Sequence, residues 1–384
     1  MRPIYFDYNA TTPLDPAVRD AMLPFLGEIW GNPSSVHQIG RRARALLDEA
    51  RDRCAVVLGA KPSEIIFTSG GTESNTLAIF GTARLLKSKG RHIITSAVEH
   101  HAVLHCCEYL AKKEGFDLTV LAVDSQGLIN PDVLRKALRL DTILVSLMAA
   151  NNEIGTIQPI AELGAICREH GVVFHTDAVQ WIGKQPFTDI HQFNADLVSI
   201  CAHKFHGPKG VGLLYARSPL HPDPTQFGGA HENERRAGTE NLPGIIGLAE
   251  ALERFVRVPV FNDDALRVLT SRLAETVAAQ PGASLVGPSA IRLANTISFV
   301  FPASDSISLL AALDLEGICA SSGSACSSGS LEPSHVISAL GLPAQSANAL
   351  VRFSLGRDSN LAEVDHVAAV LPAVLDRLQR TKKF

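Results

Sequence analysis

The sequence has no apolar run near the ~20 residues a helix needs to cross a bilayer. Its first residues, MRPIYFDYNATTPLD, lack the apolar segment of a secretory signal. Neither membrane insertion nor secretion is expected. An excess of one charge is also missing: 35 Lys and Arg face 39 Asp and Glu, a formal net charge of −4. With the charges mixed along the chain, no direct nucleic-acid contact is expected, and an anionic ligand needs a local site. A disulfide framework is absent as well. The seven cysteines are odd in number and scattered, which suits a reducing, cytoplasmic setting. No internal repeat with a period of 20–50 residues is present.

What is there is globular. Hydrophobic residues make up 46% and charged residues 19% of 384, and that length exceeds one ordinary core, so two domains are expected. Short apolar runs follow one another: EIIFT, RHIITS, DLTVLAV, TILVSLM, VVFHTD, DLVSIC and VGLLYA. Helical stretches near 74–88, 101–113, 131–138 and 160–170 separate most of them. Near-continuous apolar strands alternating with helices predict an α/β fold with a mostly parallel seven-stranded sheet. After about residue 256 the texture changes to a long helix (264–279), the strand NTISFVF, and further helices around ICAS and VRFSLG. The expected division is a large domain over 15–255 and a smaller α+β domain built from 1–14 and 256–384. Asp15 followed by Pro16 predicts a helix start. Ser34 or Ser35 is expected to cap the long helix through RRARALLDEARDRCAVVL, with Gly59 at its end. Cys319 reads as a core residue.

Several motifs carry chemistry. In SICAHKFHGPKG (199–210), Lys204 follows an apolar strand. It is either a solvated loop lysine or an amine placed to meet an aldehyde cofactor. VVFHTDAVQ ends a buried-type strand on Asp177, with Gln180 three residues on. Asp177 is either a helix cap or the acidic partner such a cofactor needs, at the strand end where ligands bind. TSGGTESNT (68–76) is a glycine turn before a helix, an anion site in principle but not a nucleotide-binding loop of known spacing. In SAVEHHAVLHCCE, His101 and His105 share a helix face near Cys106, yet no regular set of four ligands exists, so no metal is expected. His100, just before that helix, is placed to stack on a planar ring. Asn151 and Asn152, the RRAGTENLPG segment with Thr239, and Arg352 with Arg357 in VRFSLGR are each ligand contacts or ordinary turns and ion pairs. Cys326 lies in SSGSACSSGS with no metal partner in C-x₂-C spacing. It is a candidate nucleophile whose thiolate would need a stabilising neighbour.

Taken together and in this order, FDYNATTPLD, FTSGGTESNT, EHHAVL, NNEIGTIQP, HTDAVQ, HKFHGPKG, RRAGTEN, SSGSACSSGSLEPSHV and VRFSLGR resemble the group I cysteine desulfurases (NifS/IscS-like) over essentially the whole chain. The resemblance implies a fold-type-I transferase that uses pyridoxal 5'-phosphate. It implies that Lys204 bonds to the cofactor, that Asp177 faces the pyridine nitrogen and Gln180 the phenolic oxygen, and that His100 stacks on the ring. Gly71, Thr72 and His203 would hold the phosphate, and Thr239 would reach the phosphate of a second subunit in a homodimer. Asn152 and Arg352 would contact the amino acid substrate, L-cysteine. Cys326 would take its sulfur as a persulfide, releasing L-alanine, and pass the sulfur to an acceptor: a cluster scaffold in iron–sulfur biogenesis or a tRNA-thiolation enzyme.

Three departures from the family pattern stand out. Cys201 replaces a serine that helps hold phosphate, and a thiol is the weaker donor. Ala230, Asn233 and Glu234 break the usual glycine-rich segment before RAGTEN. The sequence ends at Phe384 without the extension that scaffold-binding relatives carry, so scaffold docking is the less expected partnership. Competing readings are a selenocysteine lyase, an aminotransferase, or a catalytically weak scaffold subunit.

Overall fold

The computed structural model describes residues 3–261, 263–287, 291–323 and 334–381. Strand β1 (Ile4–Tyr5) lies outside the main sheet. Strands β2 (Ile65–Thr68), β3 (His92–Ser96), β4 (Asp117–Leu121), β5 (Thr142–Ser146), β6 (Val173–Asp177), β7 (Leu197–Cys201) and β8 (Gly212–Ala216) form a seven-stranded sheet ordered β2-β8-β7-β6-β5-β3-β4. Pairing is parallel from β4 through β3, β5 and β6 to β7; β8 runs antiparallel to both β7 and β2. Every residue of β2, β3, β5, β7 and β8 is buried, as a sheet covered on both faces requires. The expected strands are all found within a residue or two of their apolar runs.

Helix α1 (Pro16–Met22) starts as expected, with the Asp15 carboxylate accepting from the N–H groups of Ala17 and Val18. The long helix α2 (Gln38–Leu58) does not start at Ser34 or Ser35. Its cap is His37, whose Nδ1 accepts from the Gly40 N–H at 3.2 Å. The reason is local: Asn32 Oδ1 accepts from the Ser34 N–H and its carbonyl from the Ser35 N–H. That Asx turn keeps both serines out of the helix. Gly59 ends α2 in the left-handed region, φ 66°. Helices α3 (Gly71–Thr76) and α4 (Thr82–Leu86) run on through a π-turn at Leu77–Gly81, and α5 spans His101–Glu114.

Strands β9 (Ser284–Val286), β10 (Thr296–Val300), β11 (Ile318–Cys319) and β12 (Leu350–Ser354) follow. The β12-β10-β9 sheet is antiparallel, and β11 pairs in parallel with β1. Ile4, Phe6 and Tyr8 pack in a core with Phe261, Phe299 and Phe353, separate from the core under the main sheet. Cys319 is only partly buried, because its strand is two residues long and covered on one side. No described helix is long and apolar enough to cross a membrane.

The free edge of β2 is closed by side chains. Arg51 donates to the Ile65 carbonyl at 2.9 Å, and Glu232 accepts from the Phe67 N–H at 3.0 Å while pairing with Arg51 at 2.6 Å. The Arg51 guanidinium also lies over the Phe67 ring. To deliver Glu232 there, three successive residues take left-handed backbone: Glu232 (φ 49°), Asn233 (φ 55°) and Glu234 (φ 65°). Such a run is costly for residues with a Cβ. The exposed Glu234 makes the test: Glu234→Gly should raise stability by about 0.5–1 kcal/mol, read as a higher urea midpoint at an unchanged slope.

Candidate active site

The parallel strands all point their carboxyl ends at one place. Asp177 is the last residue of β6, and Lys204 follows β7 after a single turn. His100 caps α5 behind β3, and Asn152 follows β5. Together with Gly71, Thr72, Gln180, Cys201, His203 and Arg352 they line one cavity of about 200 Å³. Ligands are expected at this edge of an open α/β sheet.

Most polar groups of the site are held by named partners. Lys204 Nζ donates to the carbonyls of Asn9 (2.6 Å) and Ala10 (2.8 Å). Asp177 is buried; its Oδ2 accepts from Asn75 at 2.6 Å and its Oδ1 from the Val179 N–H at 3.0 Å. Burial pushes its carboxyl up, against those two donors and the Lys204 charge, which pull it down. His203 Nδ1 lies 3.2 Å from the Thr11 hydroxyl, and His100 Nδ1 accepts from the Ala102 N–H. Burial, then the Lys204 charge, pulls both imidazoles down to about 4, so near neutrality they are uncharged. Arg352 is buried, pairs with Asp7 at 2.7 Å and donates to the carbonyls of Asn152 and Gly323. Its Nε–H is buried with no partner among the described residues.

Residues 4–367 match the family described as aminotransferase class-V. The chain is 49% identical to a cysteine desulfurase IscS of Dictyoglomus turgidum, covering 100% of this chain and 97% of that one. It is 48% identical to a cysteine desulfurase IscS of Methanosarcina thermophila, over 98% and 93% of the two chains. A solved NifS-like protein superimposes with a TM-score of 0.88 at 38% identity, covering both chains fully. The chain belongs to the cysteine desulfurase family. These are fold-type-I enzymes that depend on pyridoxal phosphate, and the mostly parallel seven-stranded sheet is the one expected.

Of the residues expected at a desulfurase site, ten share this cavity: Gly71, Thr72, His100, Asn152, Asp177, Gln180, His203, Lys204 and Arg352, with the substituted Cys201. Thr239 does not join them. It is exposed and lines a separate cavity of about 140 Å³ with Phe67, Arg236 and Asn241. Cys326 lies outside the described residues. Cys201 receives the Gly71 N–H, and burial pushes its thiol up to about 11, so it is a neutral wall atom. His101 and His105 stack with ring centroids 4.7 Å apart. Among the described residues no group of three His, Cys, Asp or Glu could hold a metal ion. Arg357 pairs with Asp15 at 2.7 Å instead of reaching the cavity.

Three residues were missed. Asn75 sits four residues after Gly71, one helical turn behind the glycine turn, which was a readable signal. Lys184 stands four residues after Gln180, a spacing that also invited attention. Asn9 had only its place in FDYNATTPLD, and nothing local marks it.

Glu99, beside His100, is fully buried. Its Oε1 accepts from the Ser96 hydroxyl (2.7 Å) and the Met148 N–H (2.9 Å), and its Oε2 has no partner among the described residues. Burial lifts its carboxyl from 4.5 to about 8. Between those values the folded chain keeps a proton that the unfolded chain has lost, so stability falls as pH rises and levels off above the folded value. Glu99→Gln removes this dependence. Its stability relative to the parent should grow by about 1.4 kcal/mol per pH unit from about pH 5 to about pH 8. Urea unfolding at several pH values checks it; a constant difference would contradict the assignment.

Proposed function

We propose that the chain takes sulfur from L-cysteine at this cavity, leaves L-alanine, and carries the sulfur on Cys326 to an acceptor protein. One observation carries the reading: a buried aspartate and a lysine on adjacent parallel strand ends face one cavity, opposite a buried arginine whose Nε–H has no partner among the described residues.

The residues fit pyridoxal phosphate. Asp177 has the fixed, buried carboxylate that a protonated pyridine nitrogen would stabilise. The start of α3 presents glycine at the cavity wall, where a Cβ on Gly71 would come within 2.8 Å of Val179. Gly71 and Thr72 with His203 would hold the phosphate, Gln180 the phenolic oxygen, and the neutral His100 ring would lie against the flat face. When bound, the cofactor supplies an aldehyde carbon for the substrate amine and a ring that accepts electrons from the substrate Cα.

The protein's own part follows. Arg352 Nε–H and Asn152 hold the substrate carboxylate and so fix which Cα bond faces Lys204. Lys204 Nζ, freed as a neutral amine, takes the Cα proton and later returns one to carbon. Cys326 attacks the substrate sulfur as a thiolate. A sulfur–sulfur bond forms, the carbon–sulfur bond breaks, its electron pair stays with carbon, and protonation there gives alanine. The persulfide is released when an acceptor thiol attacks it.

Thr239, on the surface away from this cavity, is assigned to the phosphate of a second copy in a homodimer. The acceptor is a thiol-bearing protein of iron–sulfur assembly or tRNA thiolation, and the reducing cytoplasm is the compartment proposed.

Incubation with pyridoxal phosphate and L-cysteine, followed by intact mass and peptide mapping, tests the assignment. A gain of about 32 Da, one sulfur, is expected on Cys326. Cys326→Ala should lose sulfur transfer and keep the cofactor's absorbance; Lys204→Ala should lose both. Sulfur on another cysteine, or full turnover by Cys326→Ala, would overturn the role of Cys326 and favour aminotransferase-like chemistry.

A further inference from the structure

Lys184 is 2% exposed, with no carboxylate among its described contacts. Its Nζ donates to Asn9 Oδ1 at 2.6 Å and to Gln180 Oε1, and lies 5.1 Å from the centre of the Phe261 ring. Burial, then the charges of Lys204 and Arg352, push its amine well below the usual lysine range. A buried amine in such company costs stability that an apolar residue of similar length would not. Its geometry indicates what the cost secures.

Nζ gives N–H groups to both atoms facing it, Asn9 Oδ1 and Gln180 Oε1, and both are oxygens. That settles the orientation of Gln180. With Oε1 turned to Lys184, Nε2 is turned the other way, where one N–H goes to the Asn9 carbonyl at 2.9 Å. The second N–H remains on the cavity side, where Gln180 forms part of the wall. Without Lys184 nothing else among the described contacts of Gln180 distinguishes its oxygen from its nitrogen except that single carbonyl.

We propose that Lys184 is a positioning residue acting through Gln180: it fixes the amide so that an N–H, not the oxygen, meets the phenolic oxygen of bound pyridoxal phosphate. The inference rests on the reading of this cavity as the cofactor site. An N–H there stabilises the anionic phenolic oxygen and lowers the pH midpoint of the cofactor's visible absorbance band. Any positive charge on the amine acts in the same direction, so the two effects must be separated.

The experiment is a spectroscopic pH titration of the cofactor-loaded protein and its Lys184→Met variant, each also in a Gln180→Leu background. Lys184→Met should raise the midpoint by about one pH unit. In the Gln180→Leu background, the same substitution should raise it by less than half as much. Lys184→Gln, uncharged and shorter, is measured in parallel and should shift the midpoint the same way, so misfolding of the methionine variant leaves the outcome decided. An unchanged midpoint in the substituted proteins overturns the proposal. So does an equal shift in both backgrounds, which would make Lys184 a bare charge. If the parent protein shows no cofactor band at all, the cofactor reading falls and this inference with it; a normal parent with an unresponsive variant removes only this inference.

Discussion

The Asn9 side chain and its peptide group hold the site together. Oδ1 accepts from Lys184 and Asn295, Nδ2 donates to the Asn152 carbonyl and the Thr296 hydroxyl, the carbonyl accepts from Lys204 and Gln180, and the N–H donates to Ser354. Asn9 is 1% exposed, so each of these groups must find its partner in the protein. Leaving one unmet costs ~1–3 kcal/mol. The residues it ties come from both cores, and the cavity exists where they meet.

Charge organises that cavity in a second way. Lys204 and Arg352 give the cavity wall positive charge, with Asp177 on the same wall and Asp7 paired to Arg352 behind it, while burial and then the Lys204 charge keep His100 and His203 neutral. A doubly anionic phosphate and an amino acid carboxylate are therefore welcome, and the uncharged imidazoles can lie against a flat ring without repelling a protonated one. The chain's overall net charge of −4 gives no hint of this local field.

The sequence made the sheet readable because each strand is a continuous apolar run, and it made Asp177, Lys204 and His100 readable because each stands just past such a run. What escaped depends on distant partners. The start of α2 moved to His37 because an Asx turn at Asn32 outcompeted two good capping serines. Glu232 lies between the altered Ala230 and Asn233 with nothing local to mark it, yet it serves as the missing neighbour of β2. Asn9 looks like any loop asparagine until residues nearly 300 positions away are brought beside it. The burial of Lys184 with no carboxylate among its described contacts is not written in local pattern. The Thr239 cavity is separate from the main one, a relation that only three dimensions could reveal.

The Asn9 contacts also order events in time. A ribosome delivers Asn9 before its partners: Asn295 and Ser354 emerge 286 and 345 residues later. The main sheet can assemble while these partners are still unmade. Gln180 and Lys204, which meet the Asn9 carbonyl, are translated well before Arg352, which completes the wall, and Ser354, which accepts the Asn9 N–H. The aldehyde cofactor, reactive toward any amine, thus meets its finished pocket only after Arg352 and Ser354 have been translated.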